Sequence, residues 1–221
     1  MFDNIAPKYD LLNRMLSLRI DNLWRISAMN ELKPLQPKKI LDVATGTADF
    51  AIQMRKLKPE HITGLDLSEQ MLSFGRVKVK DRKLDELITL VKGDSENLPF
   101  EDNTFDAITV AFGVRNFEHI EAGLAEMYRV LRPGGKLVVL EFSKPKVFPV
   151  KQLFYFYFHF ILPVIGRMLS KDTRAYTYLP ESVESFPEGE AFLSLLRQAG
   201  YKNDKCRALT FGISSVYTGT K

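Results

Sequence analysis

Cysteine is nearly missing from the chain. Cys206 is the only one in 221 residues, which excludes an internal disulfide and a thiolate metal cluster. The three histidines, His61, His119 and His159, are scattered, so no metal-ligand set is expected and no metal is assigned. No Gly/Ser linker, internal repeat or low-complexity segment divides the sequence, and a single domain over residues 1–221 is the expectation. Charge of one sign is also in short supply: 31 Lys and Arg stand against 27 Asp and Glu, a net +4. The densest basic stretch, Arg76, Lys78, Lys80, Arg82 and Lys83, is interrupted by Asp81 and followed by Asp85 and Glu86. It reads as a solvated helix face rather than a nucleic-acid footprint, and no nucleic-acid partner is expected. The opening MFDNIAPKYD has acids and a proline where an export signal needs a basic start and an apolar stretch, so a cytoplasmic location is expected. A long apolar run is lacking too. In the most aromatic segment, residues 148–169, Lys151, Gln152, His159 and Pro163 intrude on the roughly 20 apolar residues a spanning helix requires.

With 45% hydrophobic and 26% charged residues, the composition is that of a globular protein able to bury one good core. Apolar positions from 21 to 33 recur at helical spacing, with Asp21 as N-cap and Pro34 closing the run. Short apolar strands are expected at 39–43, in HITGLD ending on Asp66, in LITLVKGD ending on Asp94, in FDAITVAF, and in KLVVLEF after the stop Pro133-Gly134-Gly135. Helix-length segments separate them, and Ser68 can cap one. Continuously apolar strands alternating with helices argue for a parallel sheet covered on both faces, hence a Rossmann-like, doubly wound α/β fold. The C-terminal end departs from this rhythm. KCRAL and ISSVYTGT meet around Phe211-Gly212 with no room for a crossover helix, so they should pair as an antiparallel hairpin that closes the sheet.

The first strand runs into ILDVATGTADFA, residues 40–51. Open α/β sheets bind ligands at such strand-turn-helix junctions. A dinucleotide turn needs G-x-G-x-x-G, but here the equivalent positions are Ala44, Gly46 and Asp49. One glycine survives, and a carboxylate stands where a pyrophosphate would be repelled, which counts against NAD or FAD. A ligand with a cation and an amino-acid end suits the loop better. Asp66 lies where a carboxylate accepts from ribose hydroxyls, and Asp94 with Ser95 lies where an adenine edge would arrive. The structural alternatives are a turn former at each Asp and a helix cap at Thr47.

These acids at successive strand ends, the loop and the closing hairpin together resemble the class I S-adenosylmethionine-dependent methyltransferases. The segments GLDLSEQML, LPFEDNTFDAITVAFGVRNF, YRVLRPGGKLVVLEFSKP, FYFHFILPVIG and YTYLPESVESFP narrow the resemblance to the quinone-biosynthesis C-methyltransferases. It implies cofactor contacts at Thr47, Asp66, Asp94 and Ser95, with Gly46 and Ala44 in the loop, and S-adenosylhomocysteine as the product. It also implies an isoprenoid quinol acceptor, an N-terminal helical cap over residues 1–33 with Tyr9 and Arg25 facing the site, and an inserted aromatic cap at about 145–187. Tyr176, Tyr178 and Glu181 would line the acceptor pocket. Demethylmenaquinol is favoured as acceptor because the C-terminal half is compact. A ubiquinone-pathway quinol, or another phenol or sterol, is the alternative. An NAD(P) oxidoreductase would need the missing glycines and a Tyr-x-x-x-Lys pair, and a non-catalytic binding module would have no use for GVRN.

A quinol carbon becomes nucleophilic when the neighbouring hydroxyl loses its proton. Arg115 and Asn116, after the fourth strand, can steady the resulting oxyanion. The structural alternative pairs Arg115 with Glu118 or another surface acid. His159 has the pKa for a general base, although a lone His among aromatics is more often a core residue, and Tyr178 could relay the proton. The aromatic segment is either a buried cap helix or a lid that receives the tail and touches a membrane surface. Oligomeric state is left open between a monomer and a homodimer.

Overall fold

A computed structural model describes residues 20–161 and 174–221, apart from the side chains at 159, 174–177 and 179. Tyr9 and the first 19 residues of the expected cap lie outside the described residues, as do the side chains of His159 and Tyr176.

Seven strands form one sheet in the order β3-β2-β1-β4-β5-β7-β6. The strands are β1 Lys39–Val43, β2 His61–Asp66, β3 Ile88–Lys92, β4 Phe105–Ala111, β5 Leu131–Phe142, β6 Lys202–Leu209 and β7 Ser214–Thr220. Strands β1 to β5 pair in parallel. Strand β7 pairs antiparallel with both β5 and β6, the hairpin that the short 205–220 connection demands. The strand order reverses between β1 and β4, so the crevice at the carboxyl ends of these two is the binding position of the fold.

The helices are α1 Ile20–Asn30, α2 Asp49–Met54, α3 Glu69–Asp81, α4 Ile120–Val130, α5 Val150–Phe156, α6 Arg174–Ser185 and α7 Glu190–Gln198. A π-helical turn, Tyr157–Ile161, continues α5. Side chains alternate across a strand, so Ile40, Val138 and Leu140 join one core with Phe50, Met54 and Leu72. Leu41, Val139 and Ile108 join the other with Leu124, Phe192 and Tyr217. Both faces of the sheet are therefore covered, which is why β1 is apolar at every buried position except Asp42. Ser68 caps α3, its Oγ accepting from Met71 N at 3.2 Å.

Three local expectations are corrected. Asp21 lies within the helix described from Ile20, 7% exposed and paired with Arg25, so it does not stand ahead of the helix as its N-cap. Pro34 falls in a separate 3-10 turn, Lys33–Leu35, because a residue without an N–H is tolerated at such a start. Strand β5 starts at Leu131, not after the Pro-Gly-Gly stop. Leu131 opposes Phe105 and Lys136 opposes Ala107, and the intervening residues bulge out of register.

Candidate active site

The β1–α2 loop is built on alternating backbone signs: Ala44 has φ 53°, Gly46 57° and Ala48 64°. Only Gly46 takes this region without strain. The two alanines hold it at roughly 1–2 kcal/mol each, so the surrounding contacts must fix the loop. Asp42 supplies two of them, accepting from Thr45 Oγ1 and Thr109 Oγ1, each at 2.6 Å. Burial of Asp42, 1% exposed, pushes its pKa up to about 6, although both hydroxyls favour the ionised form. Thr45 N donates to Leu65 O, joining the loop to β2.

Asp66 closes β2 where it was expected. Its Oδ2 accepts from Gly46 N at 2.8 Å and its Oδ1 from Ser68 N at 2.9 Å. A Cβ placed on Gly46 would meet no atom within 4 Å, so open space borders the loop beside this carboxylate. Hydroxyls, loop amides and a carboxylate at the end of β2 fit a nucleoside that carries a ribose diol and an amino-acid end. Asp94 lies two residues past the end of β3, exposed, in a turn where its Oδ1 accepts from Glu96 N at 2.9 Å. Ser95 is half-buried beside it. Glu96 pins this turn to the start of α4 by accepting from His119 N at 2.8 Å and meeting His119 Nδ1 at 2.9 Å. The Glu96 carboxylate raises the His119 pKa.

Two readings of charge change. Lys78 is not part of a solvated face: its Nζ reaches Thr47 Oγ1 at 2.7 Å and Asp49 Oδ1 at 2.8 Å. Asp49 therefore presents a compensated carboxylate, so repulsion by Asp49 alone is not what disfavours a pyrophosphate.

On the other side of the crevice, Gly113 presses against the same loop. A Cβ there would lie 2.5 Å from Ala44 Cβ, so the segment after β4 meets the β1 loop directly. Arg115 and Asn116 follow in a 3-10 turn, Val114–Asn116. The Arg115 partner is neither Glu118 nor a surface acid. Arg115 Nη1 donates to Glu141 Oε1 at 2.5 Å, with the two side chains 8% and 0% exposed. The same Nη1 donates to Phe112 O at 2.7 Å, and Asn116 Nδ2 adds a longer bond to that oxygen at 3.4 Å. These bonds hold Phe112 at φ 59°, an outlier for an aromatic residue. Among the described residues, Arg115 Nε is buried without a hydrogen-bond partner.

Tyr178 Oη donates to Asn116 Oδ1 at 3.0 Å, bringing α6 onto this turn. Rings gather around it. Phe112 and Phe142 lie 4.8 Å apart, Trp24 packs on both, and the Arg115 guanidinium lies 5.4 Å from the Phe142 centroid. Arg25 stands 5.8 Å over Phe112. Glu181 is exposed.

The structure thus brings Ala44, Gly46, Thr47 and Asp66 together at one strand junction, with Asp94 and Ser95 past β3. Arg115, Asn116 and Tyr178 gather at the next junction. Residue reading missed Glu141, Asp42 and Phe112. The signal for the two acids was present, a lone carboxylate at the end of the apolar runs VVLE and ILD; Phe112 gives no such signal. Among the described residues no group of three His, Cys, Asp or Glu is placed to hold a metal ion, and no helix is long and apolar enough to cross a membrane.

Comparison with known proteins agrees with this fold. A demethylmenaquinone methyltransferase from Bacteroides fragilis is 52% identical over 222 residues, covering 100% of this chain and 91% of the relative. A ubiquinone/menaquinone biosynthesis C-methyltransferase UbiE from Geotalea daltonii is 47% identical over 223 residues, covering 100% and 94%. The crystal structure of a putative S-adenosyl-L-methionine-dependent methyltransferase from Methanococcus maripaludis shares the fold, with a TM-score of 0.72 at 21% identity, covering 100% and 94%. The family model described as the ubiE/COQ5 methyltransferase family matches residues 1–221. The chain therefore belongs to the ubiE/COQ5 methyltransferase family and is an S-adenosylmethionine-dependent methyltransferase.

Proposed function

We propose that the protein methylates a ring carbon of demethylmenaquinol, replacing the ring hydrogen and yielding menaquinol, S-adenosylhomocysteine and a proton. The observation that carries methyl transfer at this crevice is the close approach of Gly113 to Ala44. It sets the loop beside Asp66 against the turn that holds a buried arginine with an unspent N–H.

Ala44, Gly46 and Thr47 would hold the amino-acid end of S-adenosylmethionine, Asp66 the ribose, and Asp94 with Ser95 the base. Bound there, the cofactor supplies an electrophilic methyl group. The chain's own residues do the rest. Arg115, always charged, donates from Nε to the acceptor oxygen as it becomes a phenolate, and the protonated guanidinium stabilises that charge in a site shielded from water. Asn116 and Tyr178 orient the oxygen, and Tyr178 relays its proton. His159 is assigned the base role on its imidazole chemistry. Phe112 and Phe142 offer ring faces to the acceptor nucleus. Alignment of donor and acceptor within about 3–3.5 Å is the main demand on such a displacement.

Residues 1–33 serve as a cap over the cofactor and residues 145–187 as a second cap over the acceptor, within one domain. Val147, Phe148, Leu153, Tyr155, Phe156 and Phe160 are exposed large hydrophobics. With Lys146 and Lys151, also exposed, they support contact of this segment with the cytoplasmic surface of a membrane, where an isoprenoid tail lies. Acceptor assignment rests on the demethylmenaquinone name carried by the Bacteroides relative.

The test is methyl transfer from radiolabelled S-adenosylmethionine to a short-tailed demethylmenaquinol and, in parallel, to the demethylated ubiquinol precursor, both kept reduced. Label in demethylmenaquinol is the expected result. Label only in the ubiquinol precursor overturns the acceptor, and cofactor binding with no label in either overturns the quinol reading.

A further inference from the structure

Phe211 stands in the turn between β6 and β7 with φ 57° and ψ 22°, flanked by Thr210 at φ 46° and Gly212 at φ 92°. For a β-branched and an aromatic residue this left-handed backbone is an outlier, and a glycine or asparagine would hold position 211 with less strain. Burial does not offset the cost, because the Phe211 side chain is 72% exposed. Phe112 makes the contrast: it shares the conformation at φ 59° but packs its ring on Trp24 and Phe142. Strain that the fold's own packing does not reward points to a use outside the fold.

Neighbours other than the ring fix the turn. Trp24 Nε1 donates to Thr210 Oγ1 at 2.7 Å, Ile213 N to Thr210 O at 3.2 Å and Ser143 N to Ile213 O at 3.0 Å, and Ser143 Oγ to Gly212 O at 2.9 Å. Ser214 opposes Phe142, the last residue of β5, so the turn lies at the carboxyl end of the parallel strands, on the side of the crevice. A Cβ on Gly212 would stand 3.4 Å from Pro145 Cα. Val147 and Phe148 follow shortly after Pro145, 56% and 78% exposed. The turn is thus joined on one side to the wall of Trp24, Phe112 and Phe142 and on the other to the start of the aromatic segment.

That position selects the occupant. Thr210 touches the ring wall through Trp24, and the Phe211 Cα is one residue further, about 3.8 Å along the chain. A prenyl chain on a nucleus held at the wall would leave across this rim, where Thr210, Phe211 and Gly212 carry no charge. An exposed aromatic face and an apolar chain each lose water-facing surface when they meet. We propose that Phe211 is a specificity-determining residue that receives the root of the acceptor's isoprenoid tail at the rim of the acceptor wall. The proposal rests on the quinol reading and deepens it: the nucleus is read by the turn after β4, and the start of the tail by the turn between β6 and β7.

Steady-state kinetics without detergent compare two reduced acceptors that share the naphthoquinol nucleus, one with a short prenyl tail and one with a methyl group in its place. The wild type, Phe211→Asn and Phe211→Leu are measured, with unfolding midpoints recorded for each. Asparagine accepts the left-handed backbone, so Phe211→Asn should keep the turn and a midpoint no lower than wild type. Its preference for the tailed acceptor in kcat/KM should fall about tenfold, mainly through KM, the scale of burying one large apolar side chain. Phe211→Leu, still apolar, should keep most of the preference. An unchanged preference in Phe211→Asn overturns the proposal, and so does an equal loss with both acceptors, which marks a role in shaping the turn only. Sedimentation with phosphatidylglycerol vesicles separates the tail from a lipid surface: a Phe211→Asn protein that sediments less while its tail preference stands assigns the ring to the membrane and overturns the proposal. A wild type that methylates both acceptors without preference overturns this proposal and leaves the quinol reading intact, whereas one that methylates neither overturns both.

Discussion

Replacing Glu141 with alanine tests the ion pair on which the acceptor side rests. The carboxylate accepts from Arg115 Nη1 at 2.5 Å, Phe142 N at 2.9 Å and Arg115 N at 3.4 Å, and its side chain is 0% exposed. The substitution leaves a guanidinium, 8% exposed, that cannot shed its proton. Breaking a buried pair from one side costs about 3–5 kcal/mol. In a chain of this size each kcal/mol moves the midpoint roughly 2–4 °C, so a fall on the order of 10 °C is expected. Urea unfolding followed by circular dichroism measures the free energy, with a thermal scan for the midpoint. The double variant Arg115→Met/Glu141→Leu should be less destabilised than Glu141→Ala, because both charges leave together. If Phe112 and Arg115 need Glu141 to hold their places, Glu141→Ala should bind S-adenosylhomocysteine nearly as wild type while turnover falls about 100-fold. A loss below about 1 kcal/mol, or a double variant worse than the sum of its parts, would refute the view that this pair holds the turn.

Three other outcomes follow from single contacts. Asp42 has a pKa of 3.8 in an ordinary setting and about 6 in the fold. The native state thus binds more protons than the unfolded chain between those values, so stability falls as pH rises through this window and levels off above it. The drop is about 3 kcal/mol, and Asp42→Asn should flatten that slope in unfolding curves taken from pH 4 to 7.5. Gly113→Ala would set a methyl 2.5 Å from Ala44 Cβ and 3.1 Å from Val110 Cγ1. Overpacking of this kind costs about 1–3 kcal/mol, and calorimetry should show weaker S-adenosylhomocysteine binding as the loop yields. Tyr178→Phe deletes the 3.0 Å bond to Asn116; kcat should fall about fivefold to tenfold with S-adenosylhomocysteine affinity unchanged, as read from steady-state kinetics beside calorimetry.

The sheet was legible because its signals are local. Ile40, Leu41 and Val43 in β1 and Ile62 and Leu65 in β2 leave no exposed polar position to alternate with, and covering on both faces is the reason. The hairpin was legible from chain length alone, since residues 210–213 cannot hold a crossover. Asp66 was legible as a carboxylate closing such a run. The rest depends on reach and on tertiary strain. Lys78 looks like its exposed neighbours Lys80 and Arg82, and only the packing of Gly75 on the loop shows that its long side chain ends at Thr47. Glu141 follows the same rule as Asp66 but closes the fifth strand, and its partner Arg115 was read against nearer acids. Phe112 carries no residue-level signal, because aromatic residues do not favour φ 59°; its conformation comes from bonds made by Arg115 and Asn116. The early start of β5 was hidden because Pro133, Gly134 and Gly135 bulge out without ending the pairing.

The chain's one tryptophan joins four distant segments. Trp24 sits in α1, packs on Phe112 just after β4 and edge-on against Phe142, the last residue of β5, and donates from Nε1 to Thr210 Oγ1 at 2.7 Å in the turn before β7. It is 5% exposed. A single indole therefore stands beside the turn proposed to receive the acceptor. Its emission colour reports polarity at that turn, and on the proposed function its quenching would follow arrival of an absorbing quinol or quinone, with no label attached and no second indole to confuse the signal.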